Sequence, residues 1–177
     1  MSRSLTVAAR ARRIRLLVLD VDGVLTDGRV IYDERGNELK FFDVQDGAGL
    51  VFWKRVGWRS TIITARRSRL VARRAKELGV DRLYQLALRK LPAFEDCLKR
   101  LHLTPEAACI IGDDLMELPL MRRAGLAVAV ANAAGDTKAA AHYVTKRSGG
   151  RGAVRETVEL ILKAQRRWSH VLSRYQA

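Results

Sequence analysis

Two acidic pairs have a setting that suits chemistry. Asp20-Val21-Asp22-Gly23 closes an apolar run that begins at Ile14, and Gly112-Asp113-Asp114 follows a second run, Ala108-Cys109-Ile110-Ile111. Carboxylates spaced in this way can hold a hard divalent cation, although a single Asp-x-Asp serves equally well as a turn or a helix cap. If both runs are strands of one parallel sheet, both pairs arrive at the same sheet edge. Three or four carboxylates gathered there repel one another unless Mg²⁺ is present, and that ion would also neutralise an incoming phosphate. Two further strand ends point the same way. Thr61-Ile62-Ile63 ends in Thr64, whose hydroxyl can donate to a phosphoryl oxygen or cap a helix. Lys90 opens a helix after the next strand, where its charge opposes the helix dipole and so favours an anionic ligand beside it.

The elements that must position these residues alternate regularly. Ile14 to Asp20 is a near-continuous apolar run of strand length, as expected of a buried parallel strand. Val30 to Tyr32 and Leu39 to Phe42 flank a turn-rich segment, Asp33 to Asn37, and predict a protruding β-hairpin over about 28–43. Beyond it the pattern predicts helix 47–56, strand 59–64, helix 67–78, strand 82–84, helix 91–101, strand 108–111, helix 117–124, strand 126–130 and a last helix from about 153, with a C-terminal tail over 148–177. Strands separated by single helices imply right-handed crossovers, and hence an α/β, three-layer, Rossmann-like parallel sheet whose ligand sits beyond the carboxyl ends of the strands. Residues 1–13 are polar and basic and read as a flexible leader, leaving one domain over 14–177.

Composition narrows the class. The chain has 177 residues and is 48% apolar, enough for a core without crosslinks. Its two cysteines, Cys97 and Cys109, and three scattered histidines give neither a disulfide framework nor a zinc site. No membrane-spanning run or export signal is present, so a cytoplasmic protein is expected. The net charge of +14 favours anionic partners. With aromatics at only 6% and no nucleic-acid-binding pattern, a phosphorylated metabolite fits that charge better than nucleic acid does.

Asp, Thr, Lys and Asp, delivered in that order by four strand ends, make the sequence resemble the haloacid dehalogenase superfamily of phosphotransferases from about Ile14 to Leu162. The resemblance implies that Asp20 is the nucleophile that becomes phospho-aspartate and that Asp22 is the acid/base, giving the metal only its backbone carbonyl. It makes Thr64 and Lys90 hold the transferring phosphoryl oxygens, and Asp113 the second carboxylate on Mg²⁺; Asp114 orients this shell.

Larger relatives insert a cap domain, for which this chain has no room. Within the capless branch, Asp20-Val-Asp-Gly-Val-Leu-Thr-Asp-Gly28, Asp46-Gly-Ala-Gly49, Gly112-Asp-Asp-Leu115 and Ser148-Gly-Gly-Arg-Gly-Ala-Val-Arg-Glu156 are similar to the 3-deoxy-D-manno-octulosonate 8-phosphate phosphatase family. That likeness implies a role in lipopolysaccharide precursor synthesis, a homotetramer assembled through the hairpins, and a tail that carries Arg151 toward a neighbouring site. It also implies substrate contacts from Arg66, Arg74 and the loop Asp43-Val44-Gln45-Asp46-Gly47.

The residues support parts of this independently. Val30, Tyr32, Leu39, Phe41 and Phe42 give the hairpin more apolar surface than it can bury alone. In the helix after Thr64, Arg74 falls within the apolar arc formed by Leu70, Val71, Ala75 and Leu78, where it requires an anionic partner: an internal carboxylate or a substrate phosphate. Ala65, Leu86 and Val51 depart from the family pattern around the substrate, which leaves the sugar open. A nine-carbon sialic-type acid phosphate is the alternative substrate. A non-catalytic basic scaffold that binds nucleic acid is the alternative of a different class.

Overall fold

A computed structural model describes residues 5–176. The central sheet has six strands, all parallel, in the order β5-β4-β1-β6-β7-β8: β1 Leu16–Leu19, β4 Arg59–Ile63, β5 Arg82–Tyr84, β6 Ala108–Gly112, β7 Leu126–Ala129 and β8 Tyr143–Val144. Of the apolar run predicted to be a buried strand, Ile14 and Leu16–Leu19 are buried while Arg15 is exposed, and every residue of β1, β6 and β7 is buried. Strand β1 sits in the middle, in register with β4 on one side (Leu19 opposite Ile62) and β6 on the other (Leu19 opposite Ile111). The chain leaves β1 toward β4 and later returns to β6 on its far side. This reversal opens a crevice at the carboxyl end of β1.

Helices cover both faces. On one, α2 Val44–Arg55 packs against α3 Arg69–Leu78 and, more extensively, α7 Ala153–Ala164; on the other, α4 Lys90–Leu101 packs against α5 Leu118–Met121, which meets α6 Gly135–Ala140. The short α8 Trp168–Leu172 follows α7. Trp53 of α2 is fully buried and donates its indole N–H to the Arg59 carbonyl at 2.7 Å, fixing the start of β4. The hairpin is a two-stranded antiparallel ribbon of β2 Ile31–Tyr32 and β3 Glu38–Leu39, closed by Asp33, whose carboxylate accepts from the Arg35 and Asn37 backbone.

Several expectations are corrected. Within the predicted leader, Val7–Ala11 forms helix α1, which packs on α7, with Ala11 and Ile14 fully buried; residues 1–4 lie outside the described residues. Arg10 donates to the Gly125 carbonyl at 3.0 Å, so this arginine ties the segment down. The predicted loop 43–47 is the first turn of α2, because the Asp43 carboxylate accepts from the Gln45 and Asp46 N–H groups and starts the helix there. Leu70 is 37% exposed: it stands at the margin of an apolar arc that Val71, Ala75 and Leu78 fill. Strand β8 and helix α6 are additional elements, too short to show a period in the sequence.

Candidate active site

The crevice at the end of β1 collects the residues singled out by type and spacing. Asp20 follows β1, Thr64 follows β4, Lys90 begins α4 and Asp113 follows β6. The registers set Thr64 and Asp113 one step beyond the partners of Asp20, on either side of it. Carboxylate oxygens of Asp20, Asp113 and Glu117 lie within 4.8 Å of one another. The Lys90 ammonium, with its side chain 2% exposed, sits 2.8 Å from Asp20 Oδ1 and also pairs with Glu117. Thr64 is buried, with its hydroxyl oxygen 3.4 Å from the Arg66 N–H.

Burial and charge set the electrostatics. Burial pushes the Asp20 carboxyl up to about 6, with the Glu117 charge adding to it and the Lys90 ammonium opposing. Asp113 is pushed up to about 7 by burial, then by the charges of Asp20 and Glu117. Burial works against the Lys90 charge, but Asp20 and Glu117 together outweigh it and hold the ammonium above its ordinary value. The cluster thus carries more negative charge than one lysine balances.

This arrangement fits a hard divalent cation. All donors are oxygens, as magnesium prefers. Asp20 Oδ1 is buried, and no donor is aligned on it beyond the close approach of the Lys90 ammonium. Gly23, with φ of +90°, leaves room for the cluster: a Cβ there would lie 2.0 Å from Asp113 Oδ2. The bare turn is what admits a second carboxylate to the end of β1.

Glu117 escaped the sequence reading. Its spacing from Asp114 is a capping-box signature that could have revealed it: Asp114 accepts from the Leu115 N–H at 2.8 Å, and Glu117 Oε2 accepts from the Asp114 N–H at 3.2 Å. Lys40 was also missed. Its side chain, 2% exposed, reaches from the hairpin to Asp22 Oδ1 at 2.5 Å and Glu38 at 3.3 Å. Arg66 completes the network, 3.9 Å from Asp22 Oδ2 and 3.0 Å from Glu38, and donates to the Tyr32 hydroxyl at 3.2 Å. The hairpin therefore contributes charge to the edge of the site.

A haloacid dehalogenase-like hydrolase family model matches residues 74–156. The 3-deoxy-D-manno-octulosonate 8-phosphate phosphatase KdsC of Escherichia coli K12 is 47% identical over 162 residues, covering 92% of this chain and 86% of the relative. The chain belongs to the 3-deoxy-D-manno-octulosonate 8-phosphate phosphatase family. Among solved structures, the phosphatase of Moraxella catarrhalis, in complex with magnesium, phosphate and KDO, superposes with a TM-score of 0.94 at 43% identity over 96% of this chain and 98% of that one. The cobalt-bound Haemophilus influenzae phosphatase gives 0.85 at 36% identity over 88% and 91%. The haloacid dehalogenase-like fold without a separate cap is thereby established for this family member, in agreement with its sequence.

The other residues expected to meet substrate divide into two groups. Asp43, Val44, Gln45 and Arg151 line an open cleft of about 500 Å³ with Asp27, Arg29 and Phe41. Gln45 accepts from Arg147 at 2.5 Å, and Arg151 stands 3.8 Å from Asp27. Asp46 and Gly47 are buried beneath this surface. Asp46 is 1% exposed, and its carboxylate accepts from the Gly152 and Arg155 N–H groups at 3.1 and 2.8 Å, capping α7. Burial pushes it up to about 6 against the pull of those donors. Arg74 has Glu77 of its own helix at 3.4 Å, with its guanidinium 5.9 Å from the Phe42 ring centroid and close against Gly47.

Proposed function

We propose that the chain is a magnesium-dependent phosphatase that hydrolyses 3-deoxy-D-manno-octulosonate 8-phosphate to the free sugar acid and inorganic phosphate through a phospho-aspartate on Asp20. The observation that carries this reading is the close grouping of Asp20, Asp113 and Glu117 with the buried Lys90 at the end of the central strand. Similarity to the magnesium-, phosphate- and KDO-containing M. catarrhalis structure supports the substrate class.

Asp20 and Asp113, with the Asp22 backbone carbonyl, would hold Mg²⁺, which when bound supplies the positive charge that lets an anionic nucleophile meet an anionic phosphate. An Asp20 carboxylate oxygen attacks phosphorus, and the bond from phosphorus to the sugar oxygen breaks. Asp22 gives its proton to the departing alkoxide. Asp22 then takes a proton from water, whose oxygen attacks the phosphoryl group on Asp20, releasing phosphate and restoring the carboxylate. The Lys90 ammonium and the Thr64 hydroxyl neutralise and orient the phosphoryl oxygens during both transfers. Asp114 sustains this geometry by capping the turn that carries Asp113 and Glu117. Substrate specificity falls to Arg66, Arg74 and the start of α2, with Asp46 and Gly47 acting from below by shaping that turn.

Assembly as a homotetramer through the hairpins is part of the same proposal. Val30, Tyr32, Leu39 and Phe41 are 46–62% exposed on a ribbon too small to bury them itself. No helix among the described residues is long and apolar enough to cross a membrane, and a cytoplasmic enzyme supplying lipopolysaccharide precursors follows from the proposed substrate.

The test is phosphate release from a panel of eight- and nine-carbon sugar acid phosphates with Mg²⁺. A preference for the eight-carbon substrate is expected, abolished in Asp20→Asn. Preference for a nine-carbon acid would move the assignment to sialic-type substrates, and oligonucleotide binding without turnover would replace it with a scaffold role.

A further inference from the structure

At the opposite edge of the sheet, where the strands begin, Arg12, Arg15, Arg166 and Arg167 surround an open cleft of about 430 Å³ floored by Trp58 and Gln165. Arg12 and Arg15 precede β1, Trp58 precedes β4, and the other residues follow α7. Among the described residues none of these four arginines forms an ion pair. The larger basic cleft beside α7 is compensated instead: it is lined by Glu156 and Glu159, and Glu159 takes both Arg155 and Lys163. The cleft at the strand beginnings has no carboxylate in its walls.

The floor is built, not incidental. Trp58 Nε1 donates to Gln165 Oε1 at 2.9 Å, and Gln165 Nε2 donates to the Ala11 and Ile14 carbonyls at 3.0 and 2.7 Å. Arg15 and Arg167 stack over the Trp58 ring, with guanidinium carbons 5.5 and 4.7 Å from its centroid. Arg166 ends α7 with φ of +57°, and the Arg166 and Arg167 N–H groups donate back to Lys163 and Leu162. That left-handed closing position belongs by preference to glycine. An arginine here accepts backbone strain and adds a fourth uncompensated charge to the cleft.

We infer that this cleft binds a small oligophosphate anion, either free or as the phosphate chain of a nucleotide. Guanidinium forks match phosphoryl oxygens in geometry, and four of them around one space exceed what a single phosphate needs. Because Arg15 and Arg167 already cover the indole, recognition rests on the phosphates and not on a stacked base.

Calorimetric titration of the full-length protein with inorganic triphosphate, in magnesium-free buffer, tests this. The wild type binds, and the double variant Arg15→Gln/Arg167→Gln binds about a hundredfold more weakly, roughly tenfold per arginine. Arg166→Gly weakens binding about tenfold, while its melting temperature holds or rises and its phosphatase activity stays unchanged, because glycine relieves the strain. Arg66→Ala, at the other end of the sheet, retains binding. A nucleoside triphosphate that binds as tightly as inorganic triphosphate identifies the phosphate chain alone as the ligand; one that binds more tightly identifies a nucleotide. Absence of triphosphate binding, equal binding by the arginine variants, loss of binding in Arg66→Ala, or tight binding only of a single-stranded oligonucleotide would each overturn the inference.

Discussion

The end of the central strand and the rim around it are built differently. At the strand end, Asp20, Thr64 and Asp113 are fixed by the register of three parallel strands, and Lys90 is buried between two carboxylates. The rim, by contrast, rests on two-residue strands and helix caps: Lys40 and Glu38 come from the hairpin, Gln45 from the first turn of α2, and Arg151 from the turn before α7. A rigid centre can hold repelling charges close together at a cost in stability. A lightly built rim can change its side chains, and hence its ligand, without disturbing that centre.

Asp113→Asn separates the two most strongly. Phosphatase activity should fall by about 10³-fold, yet the metal-free protein should become more stable at pH 8, by on the order of 2 kcal/mol, because a repelling charge is removed. The sign follows from the raised values. Asp20 at about 6 and Asp113 at about 7 hold protons in the folded state through a range where the unfolded carboxyls, near 3.8, have lost them. Metal-free stability contributed by these groups therefore falls as pH rises from about 4 to 7, and the wild type gains stability on acidification across that window while Asp113→Asn gains less. Thermal melts with chelator at several pH values measure this.

Lys40→Met is the corresponding variant of the rim. It removes the hairpin's charge beside Asp22 and leaves the metal carboxylates untouched, so kcat/KM should fall by about 30-fold with magnesium affinity unchanged. A parallel loss of magnesium affinity would show that the hairpin and the centre form one unit. The smallest effect is expected from Asp46→Ala, which uncaps α7 and costs about 2 kcal/mol of stability, with KM rising a few-fold and kcat nearly constant. A collapse in kcat would place Asp46 in the catalytic machinery.

Legibility in the sequence follows the same division. Continuous apolar runs such as Leu16–Leu19 and Ala108–Ile111 announce buried parallel strands, and acid following immediately after them announces the site. Glu117 was hidden because its partner, Lys90, is 27 residues away and meets it only through the packing of α4 against α5 on one face of the sheet. Lys40 was hidden because a lysine in a short apolar strand looks like a solvated edge residue; only the fold of the ribbon turns it inward. Asp46 shows the opposite case, since the resemblance implies a substrate contact from the segment 43–47 while burial commits both oxygens of this carboxylate to α7. Arginine-rich composition likewise masked α1, whose small face, Ala11, is what packs.

The central claim, that Asp20 carries the phosphoryl group, is tested most directly by trapping it. Asp22→Asn should stall the enzyme after the first transfer when the substrate is an aryl phosphate, whose leaving group departs without a proton. Acid quench followed by peptide mass spectrometry should then find the phosphoryl adduct on Asp20. An adduct on another residue, or phosphate released at the wild-type rate with no adduct at all, would contradict the account.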